Sequence, residues 1–351
     1  MTTADNIVRD PLANYPQATV ACFDPTTGEL PRRKLSAERT QAFLQRLAAA
    51  GAPAVLIAAS TGHGHLRTVD ELAEWLRIAA AVDLGTTVKM ALLRPEDGDE
   101  ANRRLVVLAA ELDYPVIFVR PGRNLAANAS DDEVAANMQP VVRLAAERGL
   151  AVGLYSIPDV SGLPMTPTAA AKVVAGPGGE RVAAIKVTEA DYNASTAKFL
   201  ADGRLNHLKI VQGWDPHLAA ALQDGPRFDE LKRQRCGVTS GPMSFAVFQY
   251  QHIFAAAEQG DWAEVSHAQQ AVTMLFQAMQ DDPRKFADLQ RAKYIMGLGQ
   301  PLTGVVTEEQ VERVFTALAG VPRAADRERL ARSLDLMEDG AFHERLVTIT
   351  P

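Results

Sequence analysis

The sequence contains few of the residues that hold disulfide-rich domains, cysteine-based metal centres or membrane spans together. Only two of its 351 residues are cysteine, Cys22 and Cys236, and they lie far apart. This excludes a cysteine-based zinc motif and does not favour a disulfide framework. The longest apolar run, residues 47–59, is interrupted by Gly51 and Pro53 and is shorter than the roughly 20 residues of a membrane-spanning helix. We therefore expect no membrane segment.

The sequence also lacks an excess of basic residues. Lys and Arg total 36 against 43 Asp and Glu, which gives a formal net charge of −7. A general attraction to nucleic acid or to anionic lipid is therefore not expected. Residues 1–10 are polar and acidic, where a secretory signal would carry a basic stretch followed by an apolar one. We predict a cytoplasmic protein whose partners are neither nucleic acid nor membranes.

Short apolar segments recur along the chain, and a longer segment with helical periodicity follows most of them. This pattern is typical of repeated βα units. Eight strands are predicted, and they indicate an α/β fold, a (β/α)8 TIM barrel. A doubly wound open sheet is disfavoured because no glycine-rich phosphate motif follows the first strand. The predicted strands are residues 18–23, 54–58, 88–93, 115–119, 151–156, 182–187, 208–212 and 236–240, and the helices between them include residues 37–50, 69–81, 99–112, 132–148 and 166–174.

After the eighth predicted strand the pattern is helical throughout. We therefore divide the chain into a barrel catalytic domain, residues 1–258, and a C-terminal helical extension, residues 259–351. No linker rich in Gly, Ser or Pro separates them, so we expect the extension to pack on the barrel or on a neighbouring subunit. The predicted helices are residues 245–259, 262–280, 283–296, 308–318 and 323–337.

Lys186 is the first candidate for a chemical role. It lies in the strand predicted over residues 182–187, whose alternation puts Lys186 and Thr188 on one face and Ile185 and Val187 on the other. The apolar pair is expected to face the helices, which leaves the lysine inside the barrel. Burial favours the neutral amine, and a neutral amine can condense with a ketone to form a Schiff base. The pattern alone leaves open that the lysine reaches solvent or pairs with an acidic residue of the following loop.

Two further groups of polar residues end predicted strands, and the active sites of barrels lie at the carboxyl ends of their strands. Tyr155 alternates with the outward-facing Leu154, so its phenol is expected inside the barrel. There it could act as a general acid and base, or it could be a core tyrosine whose hydroxyl is satisfied. Ser60, Thr61 and Gly62 offer two hydroxyls and consecutive backbone N–H groups, which suit a carboxylate. The same turn could instead cap the following helix.

Together these motifs resemble the family of pyruvate-dependent class I aldolases and lyases that includes N-acetylneuraminate lyase and dihydrodipicolinate synthase. The family's Gly-(Ser/Thr)-Thr-Gly-Glu motif is matched by residues 59–63, its Tyr-Asn-Val-Pro motif by residues 155–158, and its Ile-Lys motif by residues 185–186. The resemblance covers residues 17–320. The order and spacing of all three motifs agree, which is more specific than any single match.

The resemblance implies a Schiff-base lyase that needs no metal and no organic cofactor. Lys186 would attack the keto carbon of pyruvate or of a longer 2-oxo acid, Ser60, Thr61 and Gly62 would hold the carboxylate, and Tyr155 would relay protons. The enamine that forms adds to an aldehyde, or is left behind when an aldehyde departs. The implied partners are therefore a small 2-oxo acid and an aldehyde. The resemblance also implies a homo-oligomer, either a tetramer or a dimer.

Further substrate-binding candidates lie at the ends of other predicted strands. Thr188 follows the lysine by two residues, as in the sialate lyase branch of the family, and Ser240 ends the eighth strand. Asp215 stands in a partial match to that branch's Gly-Tyr-Asp-Glu motif, and Asp191 and Asp215 could bind substrate hydroxyls or be loop and cap residues. Pro216 replaces the glutamate of that motif, so sialic acid itself is not the expected substrate.

Several positions depart from the family pattern. His63 replaces the family's glutamate as a substrate-contact candidate, and His65 follows in the same loop. Either could be an acid or base at neutral pH, or a packing residue, and the pair alone does not indicate a metal site. Arg120 and Arg123 could bind a distal carboxylate or be solvent-facing loop residues. Val160 replaces the arginine of the synthase branch, so dihydrodipicolinate synthesis is not expected.

Two other functions stay open from the sequence. The same lysine could dehydrate or hydrate a 2-oxo acid, because the enamine can expel water in place of an aldehyde. Alternatively, a barrel that has lost catalysis could act as a binding protein. The altered residues Ala59, His63 and Val160 allow this, whereas Lys186 and Tyr155 argue against it.

Overall fold

The computed structural model describes residues 2–10, 16–18, 34–279 and 308–335. Eight parallel strands form one sheet, and each strand pairs with the next in chain order. This order places the carboxyl ends of all the strands along the same edge. The strands are β1 (Pro16–Ala18), β2 (Ala54–Ile57), β3 (Val88–Leu93), β4 (Val116–Val119), β5 (Ala151–Ser156), β6 (Val182–Val187), β7 (Lys209–Gln212) and β8 (Cys236–Val238).

Helices connect the strands and continue after the last of them. In the part of the chain that the structure describes, no helix is both long and apolar enough to cross a membrane. The helices are α1 (Thr3–Arg9), α2 (Ala37–Ala49), α3 (Val69–Ala80), α4 (Asp99–Glu111), α5 (Asp131–Glu147), α6 (Pro158–Ser161), α7 (Pro167–Ala175), α8 (Thr196–Ala201), α9 (Leu218–Asp224), α10 (Met243–Glu258), α11 (Trp262–Met279), α12 (Glu308–Ala319) and α13 (Ala324–Asp335).

Side-chain caps fix where several of the outer helices begin. Ser36 and Thr166 each accept a hydrogen bond from the backbone N–H three residues later, at the starts of α2 and α7. Thr68 and Ser130 do the same for α3 and α5, and a glutamate three residues on bonds back to each of them. These caps satisfy N–H groups that the first turn of a helix leaves without acceptors.

The predicted alternation of strands and helices is confirmed over the described residues. The bounds of β2 to β8 differ from the predicted ones by at most two residues. The predicted strand over residues 18–23, apart from its first residue, and the predicted helix over residues 283–296 lie outside the described residues. No ladder between β8 and β1 occurs among the described residues, so what is observed is a curled, TIM-barrel-like α/β fold rather than a closed barrel.

The sheet separates two apolar clusters, as alternation along a strand requires. Leu154, Ile185 and Val187 belong to the larger cluster, which fills the space between the sheet and the helices. Phe118 and Tyr155 belong to a smaller cluster on the inner face of the sheet. The predicted orientation of β5 and β6 is therefore confirmed.

Helix α1 covers the amino-terminal end of the sheet interior, which the sequence did not predict. Ala4 and Ile7 are buried in the inner cluster, and the helix packs against β5 and β6. Asp5 accepts a hydrogen bond from Arg181, the residue before β6, over 2.7 Å. The carboxyl-terminal end of the sheet lies on the opposite side.

The helices that follow β8 are tied together by polar contacts between their side chains. Gln249 on α10 donates to Asp326 (2.8 Å) and accepts from Arg329 (2.8 Å), which joins α10 to α13. Arg323 donates to both carboxylate oxygens of Glu264 on α11 (2.6 and 2.9 Å). Helix α11 also packs against α9. Helix α10 is therefore held from two sides.

Candidate active site

Lys186 lies on β6 and points to the inner face of the sheet. Its side chain is only 2% exposed. Burial lowers the pKa of the amine to about 7, although the nearby carboxyl group of Asp215 opposes this shift. A large fraction of the amine is therefore neutral near pH 7, the form that attacks a carbonyl carbon.

The acidic residues after β6 do not pair with this lysine. Glu189 accepts a hydrogen bond from the Ser156 hydroxyl (2.6 Å). Asp191 is exposed and accepts from the Ala194 N–H (2.9 Å), which closes a turn. The interpretation of Lys186 as a lysine that reaches solvent or pairs with these carboxylates is therefore wrong. Asp191 matches its interpretation as a loop residue.

Tyr155 lies beside Lys186, because the two residues are paired in register on β5 and β6. The amine lies 4.2 Å from the centroid of the phenol ring. Burial raises the pKa of Tyr155 above its ordinary value, so the phenol is protonated at neutral pH. The Thr188 hydroxyl donates to the Tyr155 oxygen over 3.2 Å. A proton donor, with a second hydroxyl bonded to it, thus lies against the amine.

Gly213, which follows β7, is needed for this packing. A Cβ atom at this position would lie 2.0 Å from the Thr188 hydroxyl oxygen and 3.1 Å from Cε of Lys186. The first distance is far below van der Waals contact, so any side chain here would displace the threonine. The glycine therefore lets the backbone approach both side chains closely.

Asp215 lies two residues further along the same loop and is 4% exposed. It accepts a hydrogen bond from the Tyr250 hydroxyl, and the nearby Ser240 side chain lowers its pKa. Ser240 in turn donates to the Tyr250 oxygen over 3.0 Å. Burial raises the pKa of the Asp215 carboxyl group to about 6, against the opposing effects of these hydrogen bonds and of Lys186.

Tyr250 was missed by sequence reasoning. It lies on α10, is buried, and contacts the loops after β7 and β8 through its hydroxyl. A tyrosine in a helix that is apolar on most sides gives no sign of where its hydroxyl points. A tyrosine needs a hydrogen-bond partner when it is buried, and that is the only signal the sequence contains.

The turn after β2 leaves two buried hydroxyls unsatisfied. Ser60 Oγ and Thr61 Oγ1 are inaccessible to solvent and have no hydrogen-bond partner among the described residues. Of the three backbone donors expected in this turn, that of Gly62 is used within the turn, since its N–H donates to the Ala59 carbonyl (3.0 Å). The hydroxyls of Ser60 and Thr61, rather than the Gly62 N–H, are therefore available to a polar ligand.

The same turn is strained, and it does not cap a helix. Ala58 and His63 both have a left-handed backbone, with φ of 62° and 63°, which side chains disfavour and which occurs most often at functional sites. Position 64 has room only for a glycine, because a Cβ atom there would lie 1.9 Å from the Ala58 carbonyl oxygen. Helix α3 is capped by Thr68, so the interpretation of Ser60-Thr61-Gly62 as its cap is wrong.

Arg94 holds the loop that follows this turn. Its guanidinium donates to the carbonyl groups of Gly64 (2.8 Å) and Arg67 (3.0 Å), and Asp97 binds it through both carboxylate oxygens (2.8 and 2.7 Å). A backbone with two left-handed residues is thereby fixed by the segment that follows the neighbouring strand β3.

The two histidines of this loop are both largely shielded from solvent. His63 is buried. The pKa of His65 is lowered to about 4, by burial and by the charges of Arg120, Arg123 and Arg94. His65 is therefore neutral at pH 7, which excludes a charged imidazolium acid there and leaves the roles of base and of packing residue open. Over residues 2–10, 16–18, 34–279 and 308–335, no group of three or more His, Cys, Asp or Glu side chains could hold a metal ion.

Arg120 is not the solvent-facing loop residue that one of its two interpretations allowed. It is fully buried, ion-pairs with Glu96 and donates to the Pro121 carbonyl (2.7 Å). It is therefore not a solvent-facing residue, and much of its guanidinium is already engaged. Arg123 is exposed, as a loop arginine would be. The charge of Arg120 lowers the pKa of both His65 and Tyr155, so it lies near both of these groups.

Most of the predicted site residues therefore meet at the carboxyl ends of the strands. Direct contacts or electrostatic interactions link Lys186, Tyr155, Thr188, Asp215 and Ser240. The turn of Ser60, Thr61 and Gly62 follows β2 at the same edge of the sheet. The arrangement combines a buried amine, a phenol, a carboxyl group and two unsatisfied hydroxyls.

No protein-family model matches the sequence, and no curated protein matches it either. Solved structures do match. A variant of the 2-keto-3-deoxygluconate aldolase of Sulfolobus solfataricus has a TM-score of 0.69 at 15% identity, over 90% of this chain and 99% of that one. The prophage protein YagE of E. coli K12, of the dihydrodipicolinic acid synthase family and in complex with pyruvate, has a TM-score of 0.70 at 18% identity, over 88% and 98%.

A sialic acid aldolase from Ruminococcus gnavus, with its catalytic lysine mutated, has a TM-score of 0.70 at 17% identity, over 91% of this chain and 95% of that one. At such identities the likeness establishes a shared fold. The family that the three sequence motifs resemble is thus also the family whose fold this chain has.

Proposed function

We propose that this protein is a Schiff-base-forming lyase, a pyruvate-dependent class I aldolase that makes or breaks a carbon–carbon bond in a 2-oxo acid. The observation that carries the proposal is the buried amine of Lys186, whose pKa is about 7 and which lies 4.2 Å from the ring of Tyr155. Burying a lysine on a strand lowers the stability of the fold, because burial disfavours the charged form of the amine. A chemical role would account for the lysine at this position.

The first step is attack of the neutral Lys186 amine on the keto carbon. The nitrogen–carbon bond forms, and the carbonyl oxygen becomes the hydroxyl of a carbinolamine. That hydroxyl then leaves as water after it has taken a proton from Tyr155, and an iminium remains on the lysine. Thr188 donates to the phenol oxygen, so it stabilises the phenolate that this transfer leaves behind.

Ser60 and Thr61 would bind the carboxylate of the 2-oxo acid. Their hydroxyls are buried and unsatisfied among the described residues, and an unsatisfied buried donor is costly until it meets an acceptor. A carboxylate offers two acceptor oxygens. Bound there, it would orient the keto carbon within the site.

The second step is proton transfer at the carbon next to the iminium. The Tyr155 phenolate would remove a proton from that carbon, and the electron pair would move into the iminium to form an enamine. The enamine carbon then attacks the carbonyl carbon of an aldehyde, whose oxygen takes back the proton that Tyr155 removed. The iminium re-forms on Lys186, and its hydrolysis by water releases the product. Cleavage runs the same steps in reverse, so the aldehyde departs and the enamine of pyruvate remains.

The proposal includes four further features, which the sequence pattern and the resemblance suggested. The sheet would close into a (β/α)8 barrel over residues 1–258, with residues 259–351 as its helical extension. The chain would act as a cytoplasmic homo-oligomer of four or two subunits, and light scattering on a sizing column would give the number.

Borohydride reduction in the presence of pyruvate tests the function, because borohydride converts an iminium into a stable amine. Intact-mass and peptide mass spectrometry should find one adduct, on Lys186. Lys186→Ala should give none. Lys209→Met is the matched control, since Lys209 is a half-buried lysine of the neighbouring strand whose amine donates to the Gln234 carbonyl. This variant should trap pyruvate as the wild type does.

No adduct with pyruvate or with a panel of longer 2-oxo acids would overturn the proposal and leave a binding protein in its place. An adduct on another lysine would also contradict it. Once Lys186 is labelled, a screen of aldehydes with product analysis would identify the second substrate and separate aldol chemistry from dehydration.

A further inference from the structure

The carboxyl group of Asp215 has a setting that an ordinary substrate contact does not require. Asp215, Ser240 and Tyr250 are all buried, and they come from three separate segments of the chain. Tyr250 donates to the Asp215 carboxylate, and Ser240, which donates to the Tyr250 oxygen, lowers the pKa of Asp215. A carboxylate that already accepts a hydrogen bond from a protein hydroxyl has fewer lone pairs left for the hydroxyls of a substrate.

The one cation that interacts with this carboxyl group among the described residues is Lys186. Asp215 lies two residues after Gly213, where the backbone runs against the lysine side chain. The other groups around the pair are neutral at pH 7, since Ser240 and Tyr250 face the carboxyl group and Tyr155 faces the amine. A positive charge on Lys186 is therefore balanced by the negative charge of the Asp215 carboxylate.

We propose that Asp215 is the counter-ion of the Lys186 iminium, and that Tyr250 and Ser240 position it and keep it ionised. The proposal rests on the proposed function. In forming the iminium, the amine gives one proton to the departing water and keeps the other, and Tyr155 supplies the second proton of that water. The nitrogen thereby becomes a cation in a buried site, where a charge without a counter-charge is strongly disfavoured.

This role differs from that of a residue that binds hydroxyls of the second substrate. A hydroxyl-binding Asp215 would matter only when the aldehyde part is present. A counter-ion acts as soon as pyruvate alone reacts with the lysine. Imine formation with pyruvate alone therefore separates the two roles.

Asp215→Asn and Tyr250→Phe test the proposal by borohydride trapping with pyruvate, as a function of pyruvate concentration and of pH. In Asp215→Asn, the affinity for pyruvate measured by trapping at pH 8 should fall about tenfold, the effect of one pKa unit. The pH midpoint of trapping should also move down, because the carboxylate no longer raises the pKa of the amine.

Tyr250→Phe should give a different profile from Asp215→Asn. Loss of the donated hydrogen bond raises the pKa of Asp215, so trapping should be impaired at pH 6 and return towards the wild-type level at pH 8, where Asp215 ionises. Tyr192→Phe is the matched control. It removes another Tyr–Asp hydrogen bond, the one to Asp224 (2.8 Å), and should trap as the wild type does at each pH.

The counter-ion role would be overturned if both Asp215→Asn and Tyr250→Phe trapped pyruvate as well as the wild type at every pH. A defect seen only when an aldehyde is present would show that Asp215 binds the second substrate instead. If Asp215→Asn does not fold, as judged by circular dichroism, the pH profile of Tyr250→Phe decides. A wild-type protein that traps no 2-oxo acid would instead overturn the proposed function, and this inference with it.

Discussion

The amine of Lys186 lies 4.2 Å from the centroid of the Tyr155 ring, and the two residues are register partners on adjacent strands. The backbone pairing of β5 and β6 therefore determines their separation. The phenol and the amine are brought together by the rigid part of the fold, which is where precise catalytic geometry is best maintained.

Tyr155→Phe should slow turnover about 10²-fold, the scale of general acid–base catalysis, because it removes the hydroxyl and keeps the ring that packs on Lys186. Exchange of the pyruvate methyl protons with deuterated water, followed by NMR, measures this without an aldehyde. Tyr114→Phe is the control, because it removes a buried hydroxyl that donates to the Leu76 carbonyl in the outer layer. Equal exchange in Tyr155→Phe and wild type would assign the proton transfer to another group.

Gly213→Ala should lower the exchange rate at least about tenfold with little loss of structure. The added Cβ would lie 2.0 Å from the Thr188 hydroxyl oxygen, so the threonine would lose its bond to Tyr155, an interaction of about 1.4 kcal/mol. Gly203→Ala is a fair comparison, since the nearest atom to its Cβ would be 3.9 Å away. Thr188→Val should reproduce the Gly213→Ala defect. A fully active Gly213→Ala would show that the contact with Thr188 is dispensable.

The paired substitution of Ser60→Ala and Thr61→Val should weaken pyruvate binding and leave the fold at least as stable. Each hydroxyl contributes about 1 kcal/mol to a bound carboxylate, so the affinity in trapping should fall roughly tenfold or more. The unliganded protein loses two buried hydroxyls that have no hydrogen-bond partner among the described residues, so its melting temperature should hold or rise. A lower melting temperature with unchanged pyruvate affinity would contradict the role of the two hydroxyls in binding the carboxylate.

Glu264→Gln should destabilise the protein at neutral pH by roughly 1 kcal/mol, the size of a favourable partly exposed ion pair. The pKa of Glu264 is lowered to about 2, by Arg323 first and then by His252. A lowered pKa stabilises the folded state above the ordinary carboxyl value of 4.5, and this contribution disappears as the pH falls towards 2.

Denaturant unfolding at pH 7 and at pH 3.5 measures this dependence. The difference between wild type and Glu264→Gln should be smaller at the lower pH. Glu258→Gln changes an exposed glutamate at the end of α10 and should alter neither value appreciably. A difference that does not change with pH would mean that the ion pair contributes nothing to stability.

The sequence predicts the strands and helices closely because each has a clear period. Residues 182–187 alternate, so the inward direction of Lys186 could be predicted before any contact was known, and Tyr155 followed from the same logic in β5. The three family motifs then identified these residues as a set. Local pattern and chemistry agree at these positions, and the prediction is accurate there.

Contacts between distant segments could not be predicted in this way. Arg120 ion-pairs with Glu96, and no local pattern indicates which acidic residue an arginine will meet across two loops. The N–H groups of Gly62 and His63 donate within their own turn. That turn depends on the left-handed backbones of Ala58 and His63, neither of which is a glycine. Tyr250 reaches Asp215 from a helix beyond the last strand, so only the folded chain reveals the connection.

Helix α1 gives the two ends of the sheet different roles. Ala4 and Ile7 are buried at the amino-terminal end of the interior, so Lys186 is approached from the carboxyl-terminal end. Under the proposed function, both products of cleavage would share one exit, and the 2-oxo acid would stay bonded to the lysine until water released it. The aldehyde would then leave first, which predicts an ordered sequence of release with the keto acid as the second product.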